Sequence, residues 1–198
     1  MGQVLNTMSK NWKYLDVSNH QEISNEVHQY IVDHTNVLSC KNYFVDQPIP
    51  HMLSHCPLLF EFLYCRQLVA ERLATIVCSN QDYLDMHKDS DGTYPYVRIL
   101  WPIKNCQGSK TKIWEVPDGA GTLTSDTNGI LYTQFSKNQE CKLIDEFELS
   151  SPLVFDASCV HSVHPNTDLT GHRISFTIGF NKDLPISKSV KAWFGFQR

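Results

Sequence analysis

His87 and Asp89 lie two residues apart in a stretch, Leu84 to Ser90, that reads as extended chain. Alternate residues of a strand point to one face, so this imidazole and this carboxylate can reach the same metal ion or substrate atom. Alone, the pair says little. With nine His and thirteen Asp in 198 residues, such a spacing arises by chance in about every other chain of this composition. A solvated strand end explains it equally well until a third ligand is found.

The stretch Leu153 to Phe180, LVFDASCVHSVHPNTDLTGHRISFTIGF, offers both a third ligand and an anion partner. His161 lies on an apolar strand followed by the turn Pro165-Asn166. His164 is its rival, but alternation puts Cys159, His161 and Val163 on one face and His164 on the other. One of the two imidazoles is therefore excluded from a shared metal unless the strand is bulged. Arg173 and Ser175 then share a face of the next strand. A cation within an apolar strand is costly to bury unless an anion meets it, and a guanidinium fork suits two-point contact with a carboxylate. Arg173 thus predicts a carboxylate ligand, with Ser175 as a second donor. Two His and one Asp on one face of an octahedron leave three positions open, the arrangement of non-haem Fe(II) oxygenases.

Through these residues, over roughly Tyr83 to Phe180, the sequence resembles the Fe(II)/2-oxoglutarate-dependent dioxygenases. In that superfamily a His-x-Asp after an early core strand, a distal His and an Arg-x-Ser about ten residues later recur. The resemblance implies that His87, Asp89 and His161 hold iron, that Arg173 binds the far carboxylate of 2-oxoglutarate, and that Ser175 assists it. The family's distal His stands four residues before the Pro, which favours His161 over His164. The resemblance also implies consumption of O2, release of succinate and CO2, and hydroxylation of an amino acid, a peptide side chain or a small metabolite.

Arg98, on the apolar strand Tyr94 to Ile103, stands open between a solvated arginine and an inward one that grips the oxoacid or a substrate anion. Its interval from His87 is similar to that in the aspartyl/asparaginyl hydroxylase-like branch, from which this chain departs by keeping Asp89. Trp114 either walls the pocket or fills the core. The rival reading of the whole set is a non-catalytic cupin-like module that binds metal or carboxylate, or a structural jelly roll. A zinc hydrolase leaves Arg173 and Ser175 without a purpose.

The elements that must position these groups divide the chain near residue 80. Before it, Ser18 or Asn19 caps a helix whose Ile23, Val27, Tyr30 and Ile31 form an apolar face. Trp12, Tyr14 and Leu15 anchor the tail ahead of it, and His20, His28 and His34 are expected at the surface. Residues 36 to 57 read as irregular apart from a short strand at Tyr43 to Val45, with His51 and His55 in a loop bracketed by prolines. Pro57 opens a second helix that runs through Leu63, Val69 and Leu73 to about Ser79. After Asn80, short segments rich in Val, Ile, Thr and aromatic residues alternate with Gly, Asp, Asn and Pro turns. Eight or nine such strands, from Tyr83 to Asn181, predict a mainly β protein: a double-stranded β-helix, or cupin-like jelly roll, braced by two helices. The turn-rich stretch Val116 to Asn128 is placed as a lid at the barrel mouth.

Length and composition set the remaining bounds. One domain is expected, with helical support over 1–80, a jelly-roll core over 81–181 and a packing segment over 182–198. A formal charge of −4 gives no case for nucleic acid. No run approaches the ~20 apolar residues of a membrane span, and the start of the chain has no apolar signal core. Met1-Gly2 fails the myristoylation pattern, which wants Ser or Thr where Asn6 stands. Seven Cys without a Cys-x-x-Cys pair read as reduced thiols of a cytoplasmic protein. Neither the substrate nor the oligomeric state is written in any motif.

Overall fold

The computed structural model describes residues 11–35, 43–79, 84–89, 97–125, 131–136 and 140–180. Residues 1–10 of the tail, Tyr94, Tyr96, residues 126–128 of the expected lid and the apolar segment from Val190 to Phe196 lie outside them.

Among the described residues, twelve strands build two sheets and three helices cover one of them. The first sheet runs in the order β1 (Trp12–Tyr14), β10 (Leu153–Asp156), β5 (Val97–Lys104), β12 (His172–Phe180), β3 (Arg72–Ser79) and β2 (Tyr43–Gln47). The second runs β7 (Thr122–Ser125), β8 (Leu131–Gln134), β4 (Leu84–Asp89), β11 (Val160–His164), β6 (Lys110–Glu115) and β9 (Lys142–Glu148). Every pairing is antiparallel, and neighbours distant in sequence, such as β10 beside β5 and β11 beside β4, mark the jelly roll that the strand pattern predicts. Among these residues no helix is long and apolar enough to cross a membrane.

Side-chain alternation assigns the faces. On β12, Ile174, Phe176, Ile178 and Phe180 join the core beneath the helices, so Arg173, Ser175 and Thr177 face the space between the sheets. On β5, Val97, Ile99 and Trp101 take the helix side, leaving Arg98 and Leu100 inward. A second cluster, including Ile113, Phe147, Leu153 and Phe155, fills the space between the sheets. A third, around Met86, Phe135 and Val160, lies on the outer face of the second sheet.

The helices dock through a few strong contacts. Trp101 is fully buried, a gross hydrophobic contribution of about 4–6 kcal/mol before entropy. Its indole N–H donates to Ser24 Oγ at 3.0 Å, and Ser24 donates in turn to the Pro102 carbonyl at 2.7 Å, tying α1 (His20–His34) to β5. Glu26 of α1 accepts the backbone N–H groups of Leu58 and Leu59 at 3.0 and 3.1 Å, and so caps α3 (Pro57–Cys65) from outside. At one edge of the first sheet β1 pairs with β10, while Trp12 Nε1 donates to Asp145 Oδ2 of the second sheet at 2.9 Å. Tyr14 adds a bond from its hydroxyl to the Glu148 carbonyl.

Two expectations are corrected here. The helix expected from Pro57 to Ser79 stops at Cys65, and Arg72–Ser79 is strand β3, between β12 and the edge strand β2 of the first sheet. Gln67 adopts a left-handed φ of 54°, and the Leu68 N–H closes the helix end onto the Leu63 carbonyl at 2.9 Å. A buried apolar run such as LATIVC satisfies a helix face and a two-sided strand equally, and pairing with β2 on one side and β12 on the other decides it. The loop expected around His51 and His55 is α2 (Ile49–His55), in which Pro50 occupies the first turn and starts the helix rather than breaking it. The helical support is therefore three helices interleaved with three strands of the first sheet.

Candidate metal centre

β4 and β11 are antiparallel neighbours, and His87 and His161 face each other in their register, with ring centroids 4.4 Å apart. Asp89, two residues along β4, falls on the same face. The His87 Nε2 to Asp89 Oδ1 distance is 3.5 Å and the His161 Nε2 to Asp89 Oδ2 distance is 3.8 Å. One ligand atom from each of the three lies within 4.8 Å of the others, close enough to share an ion.

The same backbone device orients both imidazoles. His87 Nδ1 lies 2.7 Å from the Asp85 carbonyl and His161 Nδ1 lies 3.0 Å from the Cys159 carbonyl, each two residues upstream. A carbonyl only accepts, so each Nδ1 carries a proton, and each Nε2, the nitrogen left for a metal, is turned toward Asp89. The strand backbone thus sets the tautomer that a metal ligand requires.

Arg98 faces inward, and what it meets is Asp89: its Nη1 lies 2.9 Å from Asp89 Oδ2. The pair spans the two sheets, since β5 belongs to the first and β4 to the second. Burial alone would raise the Asp89 pKa, but Arg98 and the two imidazoles overcome it and hold the carboxyl well below the usual range. Burial would lower His87, yet its hydrogen bond and attraction to Asp89, with the Asp85 carbonyl, leave it raised. His161 is pulled down to about 4, by burial first and then by the neighbouring His87. Near neutral pH His161 is therefore uncharged.

Two aromatic rings border the centre. Phe155, itself buried, meets His161 edge-on at 4.9 Å, and Tyr132 of β8 stands edge-on to His87 at 6.2 Å. Neither carries a sequence signal that separates it from an ordinary core or strand aromatic.

Across the space between the sheets lies a second group of polar residues. Arg173 is 3% exposed, and its Nη1 donates to Ser175 Oγ at 3.2 Å. Arg173 Nε and Thr177 Oγ1 are buried with no hydrogen-bond partner. Unsatisfied polar atoms are rare in protein interiors, and a buried guanidinium N–H without a partner calls for an acceptor that carries charge. Thr177 is missing from the sequence-based set although its spacing from Ser175 shows that it shares the face.

Other expected site residues fall elsewhere. His164 Nε2 lies 2.9 Å from Ser162 Oγ, and that oxygen accepts the Trp114 indole N–H at 2.8 Å. β11 does shift register between His161 and Val163, but His164 stays with Ser162 and Trp114. Trp114 packs against the outer cluster of Met86, Phe135 and Val160, so it neither walls the centre nor fills the core between the sheets. The expected lid is corrected as well. Val116 and Ala120 cover that same outer cluster, and Thr122–Ser125 is the edge strand β7.

No family model matches the chain, and no curated protein matches it. Among solved structures, AviO1 from Streptomyces viridochromogenes Tue57 is similar at 12% identity, over 88% of this chain and 91% of that one, with a TM-score of 0.44. A prolyl-4-hydroxylase from Pseudomonas putida matches at 13% identity over 88% and 89% of the two chains, with a TM-score of 0.34. A point mutant of Bacillus subtilis oxalate decarboxylase OxdC matches at 8% identity over 85% of this chain and 36% of that one, also at 0.34.

Proposed function

We propose that the chain is an Fe(II)- and 2-oxoglutarate-dependent oxygenase that hydroxylates an amino acid, a peptide side chain or a small metabolite. The observation that carries this reading is a juxtaposition across the sandwich. One sheet holds three ligand atoms within 4.8 Å of one another, and the other buries a guanidinium whose Nε has no partner. The donor set fits the ion: two imidazoles and one carboxylate suit iron and leave coordination positions for small molecules.

In this reading His87, Asp89 and His161 hold the iron, and Arg173 with Ser175 and Thr177 receives the far carboxylate of 2-oxoglutarate. With iron bound, oxidative decarboxylation of 2-oxoglutarate by O2, which yields succinate and CO2, supplies the oxidising power directed at the substrate C–H bond. The chain's own residues prepare for this. The Asp85 and Cys159 carbonyls keep the Nδ1 protons in place so that both Nε2 atoms point inward. Phe155 packs edge-on against His161, and Arg98 fixes one Asp89 oxygen. An unpaired buried N–H costs about 1–3 kcal/mol, a penalty that an arriving carboxylate relieves.

The test is succinate formation by the purified protein. It should require Fe(II), O2 and 2-oxoglutarate together, and be slow until the right substrate is supplied from a panel of amino acids, peptides and metabolites. Iron should be lost from His87→Ala and Asp89→Ala, while Arg173→Ala should weaken 2-oxoglutarate far more than iron. Wild-type iron content in both ligand variants would sink the assignment. A second reading, a non-catalytic cupin-like module, draws support from the Arg98 contact, because the guanidinium engages an Asp89 oxygen that a metal would use. Under that reading, Fe(II) and 2-oxoglutarate added together without O2 give no visible absorption band.

A further inference from the structure

Three histidines gather in the helix layer, away from the space between the sheets. His34 is the last residue of α1, and His51 and His55 stand one turn apart on α2. Their ring centroids are 4.9 Å (His34 to His51), 4.6 Å (His34 to His55) and 4.4 Å (His51 to His55) apart. Tyr30, 4% exposed, forms the floor, with its ring 5.0 Å from His34 and 5.5 Å from His51.

The spacing has a chemical meaning. Histidines at i and i+4 of a helix present both imidazoles on one face, a two-point grip for a transition metal, and His34 brings a third imidazole from another helix. The hydrogen bonds help to choose the atoms. His55 Nδ1 lies 2.8 Å from the His51 carbonyl, which accepts only, so its proton is on Nδ1 and its Nε2 carries the lone pair. His51 Nδ1 lies 2.9 Å from the Tyr30 hydroxyl, whose oxygen can accept a hydrogen bond from its N–H. Among the described residues, ligand atoms of three such groups converge within 4.8 Å only at His87, Asp89 and His161, so the exposed rings must turn about their side-chain torsions to close on an ion. Exposed side chains make such turns on the nanosecond scale.

We propose that His34, His51 and His55 form a second metal site, which takes a borderline divalent ion such as Zn(II) and clamps the end of α1 to α2. Neutral imidazoles select Zn(II), Ni(II) or Cu(II) over Mg(II) and Ca(II), which prefer oxygen ligands. Three protein ligands leave a fourth position to water.

The experiment uses the full chain carrying His87→Gln and His161→Gln, which removes both imidazoles of the first centre and retains Asp89 with Arg98. Titrated with Zn(II) alone at pH 7.5, this protein should bind one equivalent. Adding His55→Ala should weaken that binding by more than about tenfold, because removal of a ligand costs at least as much as removal of an outer-shell partner. His34→Gln should do the same, with an unchanged circular dichroism spectrum showing that either variant is folded. Zn(II) should also raise the unfolding temperature of the background protein and not that of the His55→Ala variant. Absence of Zn(II) binding in the background, or binding of equal strength after His55→Ala and His34→Gln, would overturn the proposal. Neither result bears on the oxygenase reading, since the first centre has been removed from the test.

Discussion

Arg98 Nη1 holds Asp89 Oδ2 at 2.9 Å, so a residue of one sheet fixes the carboxylate that the other sheet offers to a metal. A buried cation and a candidate ligand thereby share one oxygen.

Removing the guanidinium should destabilise the metal-free protein by about 2–4 kcal/mol, because Asp89 is left charged without its strongest partner. A metal ion can take over that role. The rise in unfolding temperature on adding Fe(II) or Mn(II) should therefore be larger in Arg98→Leu than in the wild-type protein. An equal rise in both would mean that arginine and metal do not share the carboxylate.

Metal affinity should fall with pH in two stages. The His87 pKa is raised, so on the acid side of neutrality this ring holds a proton that an ion must displace, and apparent affinity drops by about tenfold per pH unit. His161 stays neutral down to about 4 and adds its own proton only there. Calorimetry at pH 6 in buffers of different ionisation heat should report up to one proton released per ion bound. Release of two at that pH would contradict the assigned protonation.

Thr177→Val separates binding from stability. Its hydroxyl oxygen is buried and unpartnered, so the isosteric apolar side chain should leave the free protein as stable or more so. If Thr177 helps to receive a carboxylate, 2-oxoglutarate binding should weaken severalfold in the same variant, as isothermal titration with iron present would show.

Glu26→Ala should cost about 1–2 kcal/mol, since it strips the cap from α3 and leaves the Leu58 and Leu59 N–H groups without their acceptor. For a chain of this size that lowers the unfolding temperature by about 2–8 °C. Metal binding at the first centre should be unchanged.

Much of the architecture is legible in the sequence because period-two alternation survives in the strands that matter. The strands around His161 and Arg173 can be placed within a residue or two, as can the edges of Lys142–Glu148 and Lys110–Glu115. The run through Leu73 and Val77 cannot, because a strand buried on both faces loses its alternation and reads as a helix. His87 and Asp89 can be paired from spacing, and parity narrows the third residue to His161 or His164; the resemblance favours His161, which the fold brings to the other two. The direction of Arg98 cannot be read this way, because either face of its strand is apolar and only packing against Asp89 selects one. The Asp85 and Cys159 carbonyls are equally hidden, for every residue has a carbonyl and only the fold aims it.

The contact of Trp12 with Asp145 bears on how the chain is made. Its partners are separated by 133 residues, and β1 itself pairs with residues 153–155. β1 must therefore wait, without these partners, until residues 145 to 155 have been made. Such long-range closure is slow, and an unsatisfied strand in the interval invites pairing with other chains. β12, which joins β5 to β3, is made later still, so the first sheet closes only after the seam at β1 can form.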